Sequence, residues 1–292
     1  MKRVVKLAMI AAFVGMFSFN SYSQDDPFDL YEKTIQAVQM SNFDNAIGFA
    51  NKAYKTAKAE AEPTPELSEV IKNLENTIPQ LYLSKAKKSF ADSQYADAIS
   101  QFSETAEIAK KFNDEAVQKE AEESIAKVYL KEGNDLYNAD SFDGAIASFD
   151  KALALDSTNS QVYLLRAVSY LKKGDNTNAL TAMEKTIESA KATGNSSVES
   201  QATTQLATIY LKEANAAQKV KKWADVIKNA EKSLSYNDSN ATAKKLLDLG
   251  NYQSGAALKD NKAKACQFFK KVQHDDQLKA AAAQMMKALG CS

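Results

Sequence analysis

An all-α solenoid of about five helical hairpins, closed by a C-terminal capping region, is predicted by three features of this sequence. First, residues 126–159 and 160–194 write one helical hairpin twice at a shift of 34, pairing Tyr129 with Tyr163, Ala145 with Ala179, Phe149 with Met183 and Leu153 with Ile187. A period of that size marks a repeat architecture. Second, each copy carries two apolar stripes at helical spacing, broken by a short polar turn at Asn138 to Ser141 and at Lys172 to Asp175. Third, 9 Gly and 4 Pro in 292 residues are too few for a β sandwich with its many turns.

The totals narrow the function classes. Lys and Arg number 37, Asp and Glu number 37, and mean hydropathy is −0.42. A balanced charge of this kind does not suit a basic nucleic-acid binder, and the polarity does not suit an integral membrane protein. One His and two Cys leave little material for metal or thiol chemistry.

Residues 1–23 have the pattern of a signal peptide. Lys2, Arg3 and Lys6 precede an apolar run from Leu7 to Phe19, and Ser21 and Ser23 suit cleavage before Gln24. The run is shorter than the ~20 residues a spanning helix needs. The residue directly after the cleavage point is Gln24 and not Cys, which argues against a lipid anchor. The expectation is a bacterial protein, periplasmic or secreted, whose mature chain 24–292 is a single solenoid.

Along that chain an aromatic residue followed by Ala three positions on opens the second helix of each hairpin. It occurs as Phe43 with Ala46, Tyr95 with Ala98 and Phe142 with Ala145. It weakens at Asn176 with Ala179, and Trp223 with Val226 opens the fifth. The expected hairpins are 27–61, 66–112, 113–159, 160–194 and 195–240, with a degenerate hairpin and cap over 241–292. Surplus length at 62–79, 112–125 and 194–206 is polar but helix-compatible, with start signals at Thr64-Pro65-Glu66, Asn113-Asp114-Glu115 and Ser196-Ser197. It is expected to lengthen first helices, with Pro79 kinking or restarting one of them. In the cap, a helix over 241–261 is expected to break near Gly250 and Gly255, 262–272 to form a second helix, and 274–289 a final one. A repeat array needs such an end cover.

Small residues at Gly133, Ala145 and Ala152, and at Ala167, Ala179 and Thr186, with large ones between them, resemble the tetratricopeptide repeat (TPR) family. The family's frequent Trp is Tyr129 and Tyr163 here, and its turn Pro is Ser157. The resemblance implies a right-handed superhelix whose first helices line a concave, peptide-binding groove. On that implication the groove residues are Tyr31, Leu83, Phe90, Leu130, Asn134, Tyr137, Leu164, Val168, Leu171, Leu211 and Asn215. Positions 5, 9 and 12 of a repeat are spaced i, i+4, i+7 and share one helix face. The family's carboxylate clamp needs Lys at position 5, which is Leu here, so a receptor for acidic tails is disfavoured. The alternative is that lengthened first helices pack together and take these leucines into the core.

Cys266 and Cys291 both fall in the cap and can pair in an oxidising compartment, or stay independent. His274 beside Asp275 and Asp276 lacks a second His to complete a metal set, and Asp275 reads better as a helix N-cap. No phosphate loop, nucleophile elbow or HExxH occurs. No catalytic residue, metal or cofactor is assigned. The leading functional expectation is an exported, non-catalytic scaffold binding partner proteins or peptides, in cell-envelope assembly. The alternative is a periplasmic glycan- or small-ligand-binding protein, which a single Trp already absorbed by the repeat pattern does not favour.

Overall fold

The computed structural model describes residues 26–258 and 260–291, and the expected signal peptide lies outside them. The described residues form thirteen helices and no strand: α1 Pro27–Gln39, α2 Phe43–Lys58, α3 Pro65–Ala91, α4 Tyr95–Lys111, α5 Glu115–Asn138, α6 Phe142–Leu155, α7 Ser160–Lys173, α8 Asn176–Thr193, α9 Ser196–Lys219, α10 Trp223–Tyr236, α11 Ala241–Ala257, α12 Lys262–Phe269 and α13 Asp276–Leu289. The chain divides into two compact units, the first ending at Asp135 and the second beginning at Leu136.

One turn geometry makes the hairpins. After the last helical turn a residue adopts positive φ: Ser41, Ser93, Asp140, Gly174 and Lys221 in succession. The next residue's N–H then reaches back five residues, as in Asn42 N to Ala37 O at 2.9 Å, Gln94 N to Ser89 O at 2.9 Å, Ser141 N to Leu136 O at 2.8 Å, Asp175 N to Tyr170 O at 2.9 Å and Lys222 N to Ala217 O at 3.0 Å. This bond answers a carbonyl that the helix end would leave unpaired. The residue supplying the N–H also begins the next helix, and at Asn42 and Asp175 its side chain caps that helix by accepting from Asn45 N and Asn178 N. Each reversal therefore needs only three residues or fewer between helices, and the two helices must pack.

In the first unit α1 packs on α2, α2 on α3 and α3 on α4. Ala46, Ala50, Ala53 and Ala57 form an i, i+4, i+7, i+11 stripe on α2 with no exposed surface. Leu30 of α1 and Val70, Leu74, Ile78 and Leu81 of α3 join Ala46, Ala50 and Ala53 in a common core, and Ala57 packs with Leu67 and Ile71. A second layer gathers Leu83 and Ala86 of α3, Ala98 and Phe102 of α4, and Val117, Ala121 and Val128 of α5. The surplus stretch 62–79 is the front of α3, a helix of 27 residues that feeds both layers. It runs through Pro79 as one helix, so of the two outcomes expected there, a kink or a restart, the restart does not occur. Burial of Leu74, Ile78 and Leu81 around the proline outweighs the one backbone bond it removes.

In the second unit each helix from α6 to α13 packs on the next. Leu164 and Ala167 of α7, Ala182 and Met183 of α8, and Val198, Ala202 and Leu206 of α9 form one layer. Ala214, Ala217, Val226, Ala230 and Leu246 form another across α9, α10 and α11. Helix α11 does not break at its glycines, again contrary to expectation. A Cβ on Gly250 would stand 2.8 Å from Ile227, and one on Gly255 would stand 2.9 Å from the Phe269 ring. Both glycines mark close approach of a neighbouring helix, not a helix stop. The cap closes over Ala265, Phe269, Val272 and Ala282, flanked by Tyr252, Leu278, Met285 and Leu289.

Candidate functional site

The residues expected to line a groove fall into different environments, and each unit is taken by itself. In the first unit Leu83 is 2% exposed and belongs to the core with Ala86 and Phe102. Its assignment as a binding residue is corrected: the lengthened α3 lies against α4 and takes this leucine inside. Tyr31 packs half-buried against the first core layer, and its hydroxyl pKa is raised by burial and then by the neighbouring Glu69 charge. Phe90 leans on the second layer with its ring 6.4 Å from that of Tyr95. Leu130 and Asn134 are half-buried on α5. Beside them Asp135 accepts from Lys131 and from the Tyr95 hydroxyl, and these bonds, that of Lys131 foremost, hold its carboxyl below the usual range.

In the second unit Leu164 is 5% exposed and sits with Ala167 and Met183 in the core, so it too is corrected from groove to core. Tyr137 is half-buried with its ring 5.8 Å from Phe142, edge to face. Val168 and Leu171 of α7 and Leu211 of α9 keep part of their surface exposed while leaning on the core. Asn215 donates from its amide to the Leu211 carbonyl at 2.9 Å, which leaves its Oδ1 as an acceptor. Helices α7 and α9 touch, so the four residues lie on neighbouring rods.

Sequence reasoning missed the most heavily bonded side chain of the cap, Asp248 on α11. It is fully buried, and its carboxylate accepts the N–H groups of Gln273 at 3.1 Å, His274 at 2.5 Å and Asp275 at 2.6 Å. The His274 Nδ1 lies 3.0 Å from the same carboxylate. Burial pushes the Asp248 pKa up, but the backbone donors and His274 outweigh it, and the carboxyl ends below its usual range. The available signal was an aspartate standing inside the apolar run Leu246-Leu247-Asp248-Leu249, where only a bonded carboxylate is tolerated.

Asp275 caps α13 by accepting from Gln277 N and Leu278 N. His274 is thus engaged by Asp248, and no group of metal-ligating side chains occurs among the described residues. Cys266 of α12 and Cys291, just beyond α13, are joined by a disulfide with Cα atoms 5.8 Å apart. Asp248 and the disulfide therefore fasten opposite ends of the last helix. No helix among the described residues is long and apolar enough to cross a membrane.

One further feature of the second unit is a partly open cavity of ≈140 Å³ between α7 and α8, lined by Arg166, Tyr170, Asn178, Thr181, Ala182 and Lys185. The Arg166 guanidinium is held there by Nη1 donation to Asp150 at 2.6 Å and by the Tyr163 ring, whose centroid is 5.4 Å away.

No family model matches the chain. A stretch of 132 residues is 27% identical to the Protein STIP1 homolog of Dictyostelium discoideum, covering 45% of this chain and 21% of that protein. The chain thus spans about a fifth of the length of this curated relative. Among solved structures, the C-terminal part of a TPR repeat-containing protein from Cytophaga hutchinsonii is 16% identical with a TM-score of 0.31, covering 84% of this chain and 93% of that one. MamA is 18% identical with a TM-score of 0.29, covering 68% and 96%. The TPR2AB domain of yeast Sti1, in its pHSP90 complex, is 15% identical with a TM-score of 0.24, covering 90% and 96%. The fold stated above rests on the chain's own helices and turns.

Proposed function

We propose that this protein is an exported, non-catalytic scaffold that holds partner proteins or peptides along the exposed faces of its first helices, in cell-envelope assembly. The observation that carries the reading is the half-exposed set Val168, Leu171, Leu211 and Asn215 on the touching helices α7 and α9. Apolar side chains left partly open on a rigid stack suit a groove-and-anchor mode, in which a few anchors supply most of the binding energy. The free Asn215 carbonyl adds an acceptor for a partner's backbone N–H. In the first unit Phe90, Leu130 and Asn134 form the corresponding half-buried set. Export is supported by the basic start, the apolar run and the small residues before Gln24.

The test is co-isolation from the native envelope after cross-linking, comparing the full chain with Val168→Asp plus Leu211→Asp. Loss of the captured proteins with helicity retained supports the reading, and an unchanged set of captured proteins overturns it. Mass spectrometry of the native protein checks export separately, with a mature N-terminus at Gln24 expected.

A further inference from the structure

We propose that the turn between α9 and α10 is a docking surface for an anionic bilayer, with Lys219, Lys221 and Lys222 on lipid phosphates and Val220 entering the layer beneath. The three lysines are exposed and make no ion pair among the described residues. Val220, set between them, is 64% exposed. Two of the lysines stand where the turn itself prefers other residues. Lys221 takes the positive φ that Ser41, Ser93, Asp140 and Gly174 take in the matching turns. Lys222 is the N-cap of α10 and makes no side-chain cap bond, whereas Asn42 and Asp175 cap α2 and α8. A cation there also opposes the positive end of the helix dipole. Two local rules broken in adjacent residues give up stability, and the return lies outside the fold.

The chemistry of the turn selects the partner. Met40 is 80% exposed at the tip of the first turn, but its neighbours Gln39, Ser41 and Asn42 carry no charge. Among the five hairpin turns, that between α9 and α10 alone sets cations around an exposed aliphatic tip. The surrounding sequence reinforces it: residues 211–292 hold 15 Lys against 8 Asp and Glu, while 24–210 hold 19 Lys and Arg against 29 Asp and Glu. Asymmetry of this kind points to a nucleic acid or a membrane, and it concentrates the long-range attraction on the part of the chain that carries the turn. A nucleic acid supplies phosphates but no apolar layer for Val220. A bilayer supplies both, since its phosphates lie directly over the acyl chains. The lysine stems suit that boundary, because they lie along apolar matter while the ammonium stays at the headgroups. The nearest acid in sequence, Asp225, stands one turn into α10, exposed, and makes no ion pair among the described residues. The docking surface uses none of Val168, Leu171, Leu211 and Asn215, so it stands whether or not that set holds a partner.

The test is co-sedimentation with vesicles of phosphatidylcholine alone, and of phosphatidylcholine with about a third phosphatidylglycerol. It uses the chain from Gln24 onward, which contains all thirteen helices, because the apolar run of 1–23 would itself enter vesicles. Binding to the anionic vesicles alone, weakening as salt is raised, is expected. Lys221→Gly and Lys222→Asn each remove a local strain or a misplaced charge, so neither loses binding by unfolding. Each should still weaken binding about fivefold. Lys110→Gln plus Lys111→Gln removes more charge from exposed sites on α4 and its end, and should leave binding unchanged. Trp223, the single Trp, adjoins Lys222 and should be quenched by lipids brominated on their acyl chains. Equal binding to both vesicles, an equal loss in the α4 double variant, or binding without quenching of Trp223 overturns the proposal. Salt-sensitive self-association without vesicle binding also overturns it, and assigns the lysines to the acidic part of a second copy.

Discussion

Lys221 holds a φ of 57°, the left-handed conformation that Gly174 supplies in the matching turn with a φ of 86°. A Cβ makes that conformation costly, by about 1 kcal/mol or more. Lys221→Gly is therefore expected to raise the stability of the second unit by roughly 0.5–1 kcal/mol, after the added flexibility of the unfolded chain is set against the relieved strain. Urea denaturation gives the midpoint, and Gly174→Ala should move it the other way. The alanines show the opposite constraint. Ala98 has no exposed surface and sits between Leu83, Ala86 and Phe102, so a larger side chain has nowhere to go. Ala98→Leu is expected to cost roughly 1–3 kcal/mol by overpacking, and the same denaturation experiment reads it.

Helix α13 buries little of itself, since Ala282 is its sole fully buried residue among those described. An amphipathic helix of 14 residues is marginal on its own, so its fastenings matter more than its core. Asp248→Ala would leave three backbone N–H groups of 273–275 without their acceptor, at an expected cost of roughly 2–4 kcal/mol. The pH dependence follows from the sign of the Asp248 shift. A carboxyl held below its ordinary range contributes stability that is complete above the unfolded value of about 3.9 and is lost as pH falls through the lower folded value. Acid titration of the wild type should show this loss below about pH 4, and Asp248→Asn should flatten that limb while lowering stability at pH 7. The Cys266–Cys291 bridge closes a separation of 25 residues, and its removal by Cys266→Ser plus Cys291→Ser should cost roughly 3 kcal/mol in the chain-entropy account. Thermal melts with and without reductant check the same figure on the wild type.

At the scale of the whole chain, what was legible in the sequence was whatever repeats. Ala46, Ala98, Ala145 and Ala179 recur because the first four hairpins place a small residue where helices meet, and all four have no exposed surface. The lengthened first helices were legible too, from start signals such as Thr64-Pro65 and Ser196-Ser197 at the heads of α3 and α9, although the residue that caps α9 is Asn195. Gly250 and Gly255 misled because their local preference for ending a helix loses to packing that only the tertiary structure reveals. Leu83 and Leu164 misled for a related reason: a helix face alone does not say whether the next rod covers it. Asp248 and Arg166 each occur once, and a repeat pattern carries no information about a residue that breaks it. Nearest-neighbour stacking then governs how damage spreads, because each helix in such an array depends chiefly on those it touches. In the second unit α13 touches α12 and α11, and α12 touches α11. Removing the disulfide should therefore speed amide hydrogen exchange in α12 and α13 strongly, in α11 weakly, and in α7 and α8 not at all. Equal acceleration in α7 and α13 would mean that the second unit opens as one cooperative block, and the nearest-neighbour account of it would be wrong.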